Sequence, residues 1–325
     1  MDFFKHPYYK EFKIFCNVAY KQNMNVILLS IPSMSVTFFI NKLLEEDAEG
    51  IYSVVNESGQ KNGRFTFLDL DYSRQSKKAL DLTDSYLSSA SSQDKFMVVI
   101  DNPHILDTDS FKKSYLANHF YKIFYFKPLD FDLIKMFALN MKIKVSNDEI
   151  EQILNLSGGI SSIVKYLLAN QELIGNPVQG LVNNQEFIKS IHLTIEMIRK
   201  SRISYLEKLG ILENREFKSK MIQKYFENQN INLVDVLIGK DLSFEENGLL
   251  NSERLLKLEK EIIEFTIENN GIISKEDIAD IKWEKDSYDS YSDDAIVKTM
   301  LRLNKKLQRY KFISVPTLGY QLINK

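Results

Sequence analysis

Short apolar runs alternate with helix-like stretches over the first third of the chain. Residues 25–30 (NVILLS) hold a short apolar run, the pattern of a strand buried on both faces. Residues 38–46 read as helix, 64–71 (RFTFLDLD) as a strand ending in acids, and 77–88 as helix. Residues 96–101 (FMVVID) and 121–126 (YKIFYF) repeat the buried-strand pattern. Strands separated by helical stretches predict βαβ units and a parallel sheet.

From Asp130 the texture turns helical. Residues 130–139, 147–155 and 161–170 are amphipathic, and Gly158-Gly159 separates the last two. Ser146 with Glu149 three positions on makes a capping-box pattern at the second helix. Residues 175–180, with Pro177, read as a linker. A helical middle follows over 185–229, then short strand-like pieces around Gly239 and Gly248. The expected organisation is an α/β domain over residues 1–128, a helical lid over 129–176, a helical middle module over 177–237 and an α+β domain over 238–325.

The last domain carries the clearest pattern. Ile296, Met300, Leu303 and Leu307 recur at helical spacing, and Lys298, Arg302, Lys305 and Arg309 recur on the opposite face. Residues 295–325 contain no Asp or Glu, whereas Asp286, Asp289, Asp293 and Asp294 crowd the stretch before them. Two β-rich stretches follow the helix, 311–316 and 317–323, with a turn near Leu318-Gly319. A basic helix followed by a hairpin is the layout of a recognition helix and its wing, and such a helix fits the major groove. Lys298, Arg302, Lys305, Lys306 and Arg309 are expected to neutralise phosphates, Thr299 and Asn304 to read base edges, and Thr317 to touch DNA from the wing. The plainer reading of such a stripe is a solvated helix face.

Composition narrows the classes. With 44% hydrophobic residues the chain has material for sizeable cores, which argues against disorder. A net charge of -2 excludes a generic polyanion binder, so any nucleic-acid site needs local charge segregation. Cys16 stands alone, which excludes an internal disulfide and fits a reducing cytoplasm. His6, His104, His119 and His192 show no metal-ligand spacing. The run over residues 26–40 is interrupted by Ser30, Pro32, Ser33 and Ser35, so no membrane span is expected. The N-terminal residues lack the apolar core of a signal peptide, and the expected location is the cytoplasm.

A strand, a turn of small residues and a helix form the setting of a phosphate-binding loop. Here the loop runs from Ser30 to Thr37. Ser30, Ser33 and Ser35 stand where glycines belong, Val36 stands where the lysine belongs, and Thr37 alone is retained. Residues 96–101 end in Asp101, but Asn102 replaces the second acid a hydrolytic site needs. Together with Lys127-Pro128-Leu129-Asp130, Leu156-Ser157-Gly158-Gly159 and residues 206–212 (LEKLGIL), this part of the chain resembles the AAA+/STAND class of P-loop ATPases. The resemblance implies a P-loop-like domain. The departures imply that it has lost ATP hydrolysis, holds no cofactor, is not an enzyme, and serves self-association or sensing.

The last domain resembles the winged-helix DNA-binding domain of OmpR/PhoB-type response regulators. Leu258-Glu259-Lys260-Glu261-Ile262-Ile263 matches its opening helix, and residues 270–278 match the turn into the second, with Ser274 and Asp277 as caps. Trp283, residues 301–307 and the closing Gly319-Tyr320 match in register. Trp283 and Tyr320 are expected in the core. Pro316 stands where the wing carries an arginine, and Asn304 replaces a basic residue. No receiver arrangement is formed by Asp69, Asp71 and Asp101. The expected function is double-stranded DNA binding by a transcriptional regulator. One alternative is a relative of replication or clamp-loading AAA+ proteins; another is a protein-binding adaptor.

Overall fold

The computed structural model describes residues 2–325 apart from 56–63, 92–93, 120–121, 230, 232, 270 and 284–291. Two compact units result. One holds residues 1–198 and 205–225, the other residues 199–204 and 226–325. Residues 177–237, read above as one module, are thus divided between them.

The first unit is built on a parallel sheet of five strands: β1 (Val26–Leu29), β2 (Tyr52–Val55), β3 (Phe65–Asp69), β4 (Lys95–Ile100) and β5 (Lys122–Tyr125), in the order β2-β3-β4-β1-β5. Leu29 pairs with Ile100 on one side and Tyr125 on the other. Helices α1 (Pro7–Lys21), α2 (Val36–Glu45), α3 (Tyr72–Ser89), α4 (Asp109–Lys113) and α5 (Tyr115–His119) belong to this layer. From β1 the chain crosses to one edge of the sheet and from β4 to the other, so the two neighbouring strands feed opposite directions. Their carboxyl ends therefore flank the crevice in which open α/β sheets bind ligands.

Two elements escaped the sequence pattern. Helix α1 begins with Pro7 at its first position and is capped by His6, whose Nδ1 accepts the Tyr8 N–H at 3.2 Å. Its Tyr9, Phe12, Cys16 and Ala19 are buried. Strand β2 is short, lies at the sheet edge and alternates in burial, so no apolar run marks it. Helix α3 begins earlier than predicted because Asp71 caps it, and it is kinked at Gln75.

The helical part follows with α6 (Phe131–Asn140), α7 (Asn147–Ser157) and α8 (Ser161–Ala169), close to the predicted spans. Ser146 and Glu149 form the expected capping box. Gly158 ends α7 in the left-handed region, and Gly159 follows at φ 77°. A Cβ on Gly159 would lie 2.0 Å from the Leu129 carbonyl oxygen, and the Leu129 N–H donates to the Gly159 oxygen at 2.8 Å. The expected linker is itself partly helical, as α9 (Val178–Val182). Beyond it come α10 (Gln185–Lys200), α11 (Ile203–Lys208), a small hairpin of β6 (Leu212–Glu213) and β7 (Glu216–Phe217), and α12 (Lys220–Asn228).

The second unit opens with β8 (Val236–Ile238), β9 (Ser243–Glu246) and β10 (Leu249–Arg254), an antiparallel sheet in the order β10-β9-β8. Asn247 and Gly248, both at positive φ, make the two-residue turn between the last two strands. Then come α13 (Lys257–Glu268), β11 (Ile272–Ile273), α14 (Lys275–Trp283), α15 (Asp293–Lys306), β12 (Tyr310–Val315) and β13 (Gly319–Asn324), with a second antiparallel sheet ordered β11-β13-β12. Ser274 and Asp277 cap α14 reciprocally. Ile262, Ile263, Ile278, Ile296, Met300, Leu303, Leu307, Tyr310 and Leu322 form one core, with Tyr320 in it and Trp283 packed against it. Asp286 and Asp289 lie outside the described residues.

Candidate functional site

The first candidate lies at the carboxyl ends of β1, β3 and β4. A cavity of about 350 Å³ is lined by the loop from Ser30 to Thr37 and by Asp69, Asp101, Ser161, Ser162 and Lys165. The loop holds its shape without glycine. Ser33 and Ser35 sit at φ 70° and 61°, conformations that non-glycine residues adopt only when their surroundings impose them. Those surroundings are visible: the Ser161 hydroxyl donates to the Ser33 carbonyl, and Thr194 Oγ1 of α10 donates to the Pro32 carbonyl at 3.1 Å. Ser30 is buried, and its N–H donates to the Ile100 carbonyl at 2.9 Å.

The chemistry of this pocket differs from that of a nucleotide loop. Val36 is the first residue of α2 and is buried, so no ammonium stands where one is needed. The Thr37 hydroxyl donates to Asp69 Oδ2 at 3.1 Å. Burial raises the Asp69 carboxyl above its usual range, partly opposed by that hydrogen bond. Asp101 is pushed up to about 6, chiefly by burial; the Asp71 charge adds to the rise, and the hydrogen bonds from Ser73 oppose it. Asn102 is buried and carries no carboxylate, and its Nδ2 donates to Ser76 Oγ at 3.0 Å. Two carboxylates thus oppose one lysine, Lys165, on the cavity wall, an unfavourable field for a triphosphate. Asp69 was legible only as an acidic strand end. Lys165 carried no sequence signal, because tertiary folding alone brings α8 to the loop. Among the described residues, no group of three or more His, Cys, Asp or Glu side chains is placed to hold a metal ion.

The second candidate is the outer face of α15. The stripe separates as its period requires: Ile296, Met300 and Leu303 are buried, while Lys298, Arg302 and Lys305 are exposed. Other expected contacts are placed differently. Thr299 is buried, with its hydroxyl donating to the Ala295 carbonyl at 2.9 Å and receiving Lys282 Nζ at 3.0 Å. Asn304 Oδ1 accepts the Phe312 N–H at 2.6 Å and its Nδ2 donates to the Phe312 carbonyl at 2.8 Å, fastening α15 to β12. Neither residue offers a free polar group to a base edge. Lys306 is largely covered, donating to Glu259 at 2.7 Å and to the Arg254 carbonyl at 2.9 Å.

The helix ends at Lys306, so Arg309 lies beyond it and does not continue the helical row. Arg309 is exposed, and its N–H, with that of Tyr310, donates to the buried Glu246. Thr317, at φ 64°, is exposed at the hairpin tip between Pro316 and Leu318. No helix of the described residues is long and apolar enough to cross a membrane.

No family model matches the chain, and no curated protein does. Among solved structures it is similar to the Thermotoga maritima RuvB Holliday junction branch migration motor, at 13% identity over 97% of this chain and 90% of that one, with a TM-score of 0.37. It is also similar to the Aeropyrum pernix ORC2 protein in its ADPNP-ADP complexes, at 9% identity over 83% of this chain and 95% of that one, with a TM-score of 0.31. Similarity this loose bears on neither partners nor chemistry.

Proposed function

We propose that this chain binds duplex DNA through a winged helix in its second unit, and that its first unit is a P-loop-like α/β domain that does not hydrolyse ATP. The observation that carries the reading is the face of α15. Lys298, Arg302 and Lys305 point outward over a helix whose opposite face is core; residues 295–325 hold no acid, and among the described residues Arg302 alone of the three is paired, to Glu259. A helix–β–helix–helix–hairpin order supports the same reading. For the first unit, the buried Val36 and the amide Asn102, bonded to Ser76, argue against turnover, leaving assembly or partner sensing as its role.

The process served is stated at the level of DNA binding. Transcriptional regulation, expected from the sequence, rested on the response-regulator resemblance, and the wing tip lacks the arginine of such modules. A replication-type relative has the same two parts and fits them equally. The test is a mobility-shift titration of the full chain on a random-sequence duplex at moderate salt. Retardation that weakens steeply with salt is expected. A chain that retards no duplex at low salt is not a DNA binder.

A further inference from the structure

Helix α15 presents more than charge to its surroundings. Val297 and Leu301, four residues apart, are 39% and 56% exposed. At about 100° per residue they flank the Lys298–Lys305 row on one side, while Arg302 flanks it on the other. The remaining outward position near the start of the helix is Asp294.

A helix that reads bases through hydrogen bonds needs free amide, hydroxyl or guanidinium groups on that face. Here Thr299 and Asn304 are committed to the core and to β12, and Arg302 Nε is bound to Glu259 at 2.9 Å. On the side of the lysine row away from Arg302, the exposed side chains beside Asp294 are aliphatic. In the major groove the aliphatic feature of a base edge is the 5-methyl group of thymine, which apolar side chains contact directly. The positive row along one side of the pair complements the phosphates that border such a groove.

Resting on the DNA-binding reading above, we infer that Val297 and Leu301 are specificity-determining residues that select thymine in duplex DNA through its 5-methyl group. The lysines beside them hold the backbone and carry no sequence preference. Sequence choice then comes from methyl positions rather than from a donor–acceptor pattern.

The test uses the full chain and one random-sequence duplex pool prepared twice, once with thymidine and once with deoxyuridine. The two pools share charge, length and pairing and differ only in the methyl group. The thymidine pool should be bound more tightly, by about fourfold for each methyl buried. Leu301→Ala and Val297→Ala remove exposed side chains, so the fold should stand, and each should shrink the ratio between pools. Retention of both pools with equal affinity overturns the inference while leaving DNA binding in place. A thymidine preference unchanged in both variants also overturns it, since the methyl is then read elsewhere. If the chain retains neither pool, the DNA-binding reading itself fails, and the aliphatic pair belongs to a protein contact.

Discussion

Arg302 Nε donates to Oε1 of Glu259 at 2.9 Å, and Glu259 is wholly enclosed within its unit. Lys306 holds the other carboxylate oxygen at 2.7 Å, and the Leu256 N–H donates to it at 2.8 Å. A residue in the first turn of α13 therefore anchors α15. Burial works to raise this carboxyl, and the hydrogen bonds from Lys306, Leu256 and Arg302 outweigh it, leaving it below the usual range. A buried carboxylate bound by two cations is costly to strip of either partner.

Glu259→Gln should therefore destabilise the second unit by about 2 kcal/mol near neutral pH, the scale of hydrogen bonds to a charged group. Because the folded carboxyl titrates lower than the unfolded one, its contribution is present above the usual glutamate range and is lost on acidification. Denaturant melts at neutral pH and at about pH 3 check this: the gap between native and variant chains should close at the lower pH. A gap of equal size at both means the charge is not what matters.

Asn304→Ala should cost about 1–3 kcal/mol, because both of its bonds to Phe312 vanish and leave backbone groups of β12 unpaired. If Asn304 instead faced a base, the substitution would leave the melting temperature alone and change only DNA affinity. Thermal melts beside mobility shifts separate the two.

Lys305→Ala should weaken binding to all duplexes alike and lower the slope of log affinity against log salt by about one. Lys257→Ala, on the exposed side of α13 and paired only loosely with Glu261 at 3.9 Å, is the comparison. Lys275 serves poorly, since it is bound to Asp293 at 2.7 Å. Equal losses from Lys305→Ala and Lys257→Ala would reduce the stripe to a diffuse charge effect.

ATP turnover should not exceed background. A rate that disappears on Asp101→Asn would overturn that expectation. The same variant tests the pocket's electrostatics without nucleotide. Asp101 titrates at about 6 in the folded chain, above its usual range. Its neutral form is thus favoured by folding, and stability falls as pH rises from the usual aspartate range through about 6. Asp101→Asn keeps an oxygen for the Ser73 N–H and should stabilise the first unit by roughly 2–3 kcal/mol at pH 7, with little effect near pH 4. A melting temperature unchanged at pH 7 would mean the carboxylate is adequately solvated.

Gly159→Ala should destabilise the first unit by about 2–4 kcal/mol, since a Cβ there meets the Leu129 backbone and the residue holds a positive φ. Gly175→Ala is the contrast. That glycine also has a positive φ, but a Cβ there meets nothing within 4 Å. The cost in excess of the Gly175 variant measures the collision alone.

Period and capping were legible along the chain. Four of the five parallel strands, the capping boxes at Ser146 and Ser274, the Asn247-Gly248 turn and the two faces of α15 all follow from local chemistry that neighbours in sequence supply. The loss of lysine at Val36 was equally plain, since one residue type decides it. Partnership was not legible. Nothing near Thr299, Asn304 or Arg302 in sequence announces that their polar groups are engaged by Lys282, Phe312 and Glu259. Nothing near Ser33 announces that Ser161 holds the loop, or that Lys165 joins Asp69 and Asp101 around one cavity. A helix's period divides inside from outside, but whether an outward or flanking polar group is free depends on side chains brought near it from distant parts of the chain. That pairing is a property of the packed units, and it moved the candidate reading face of α15 from amides and hydroxyls to Val297 and Leu301.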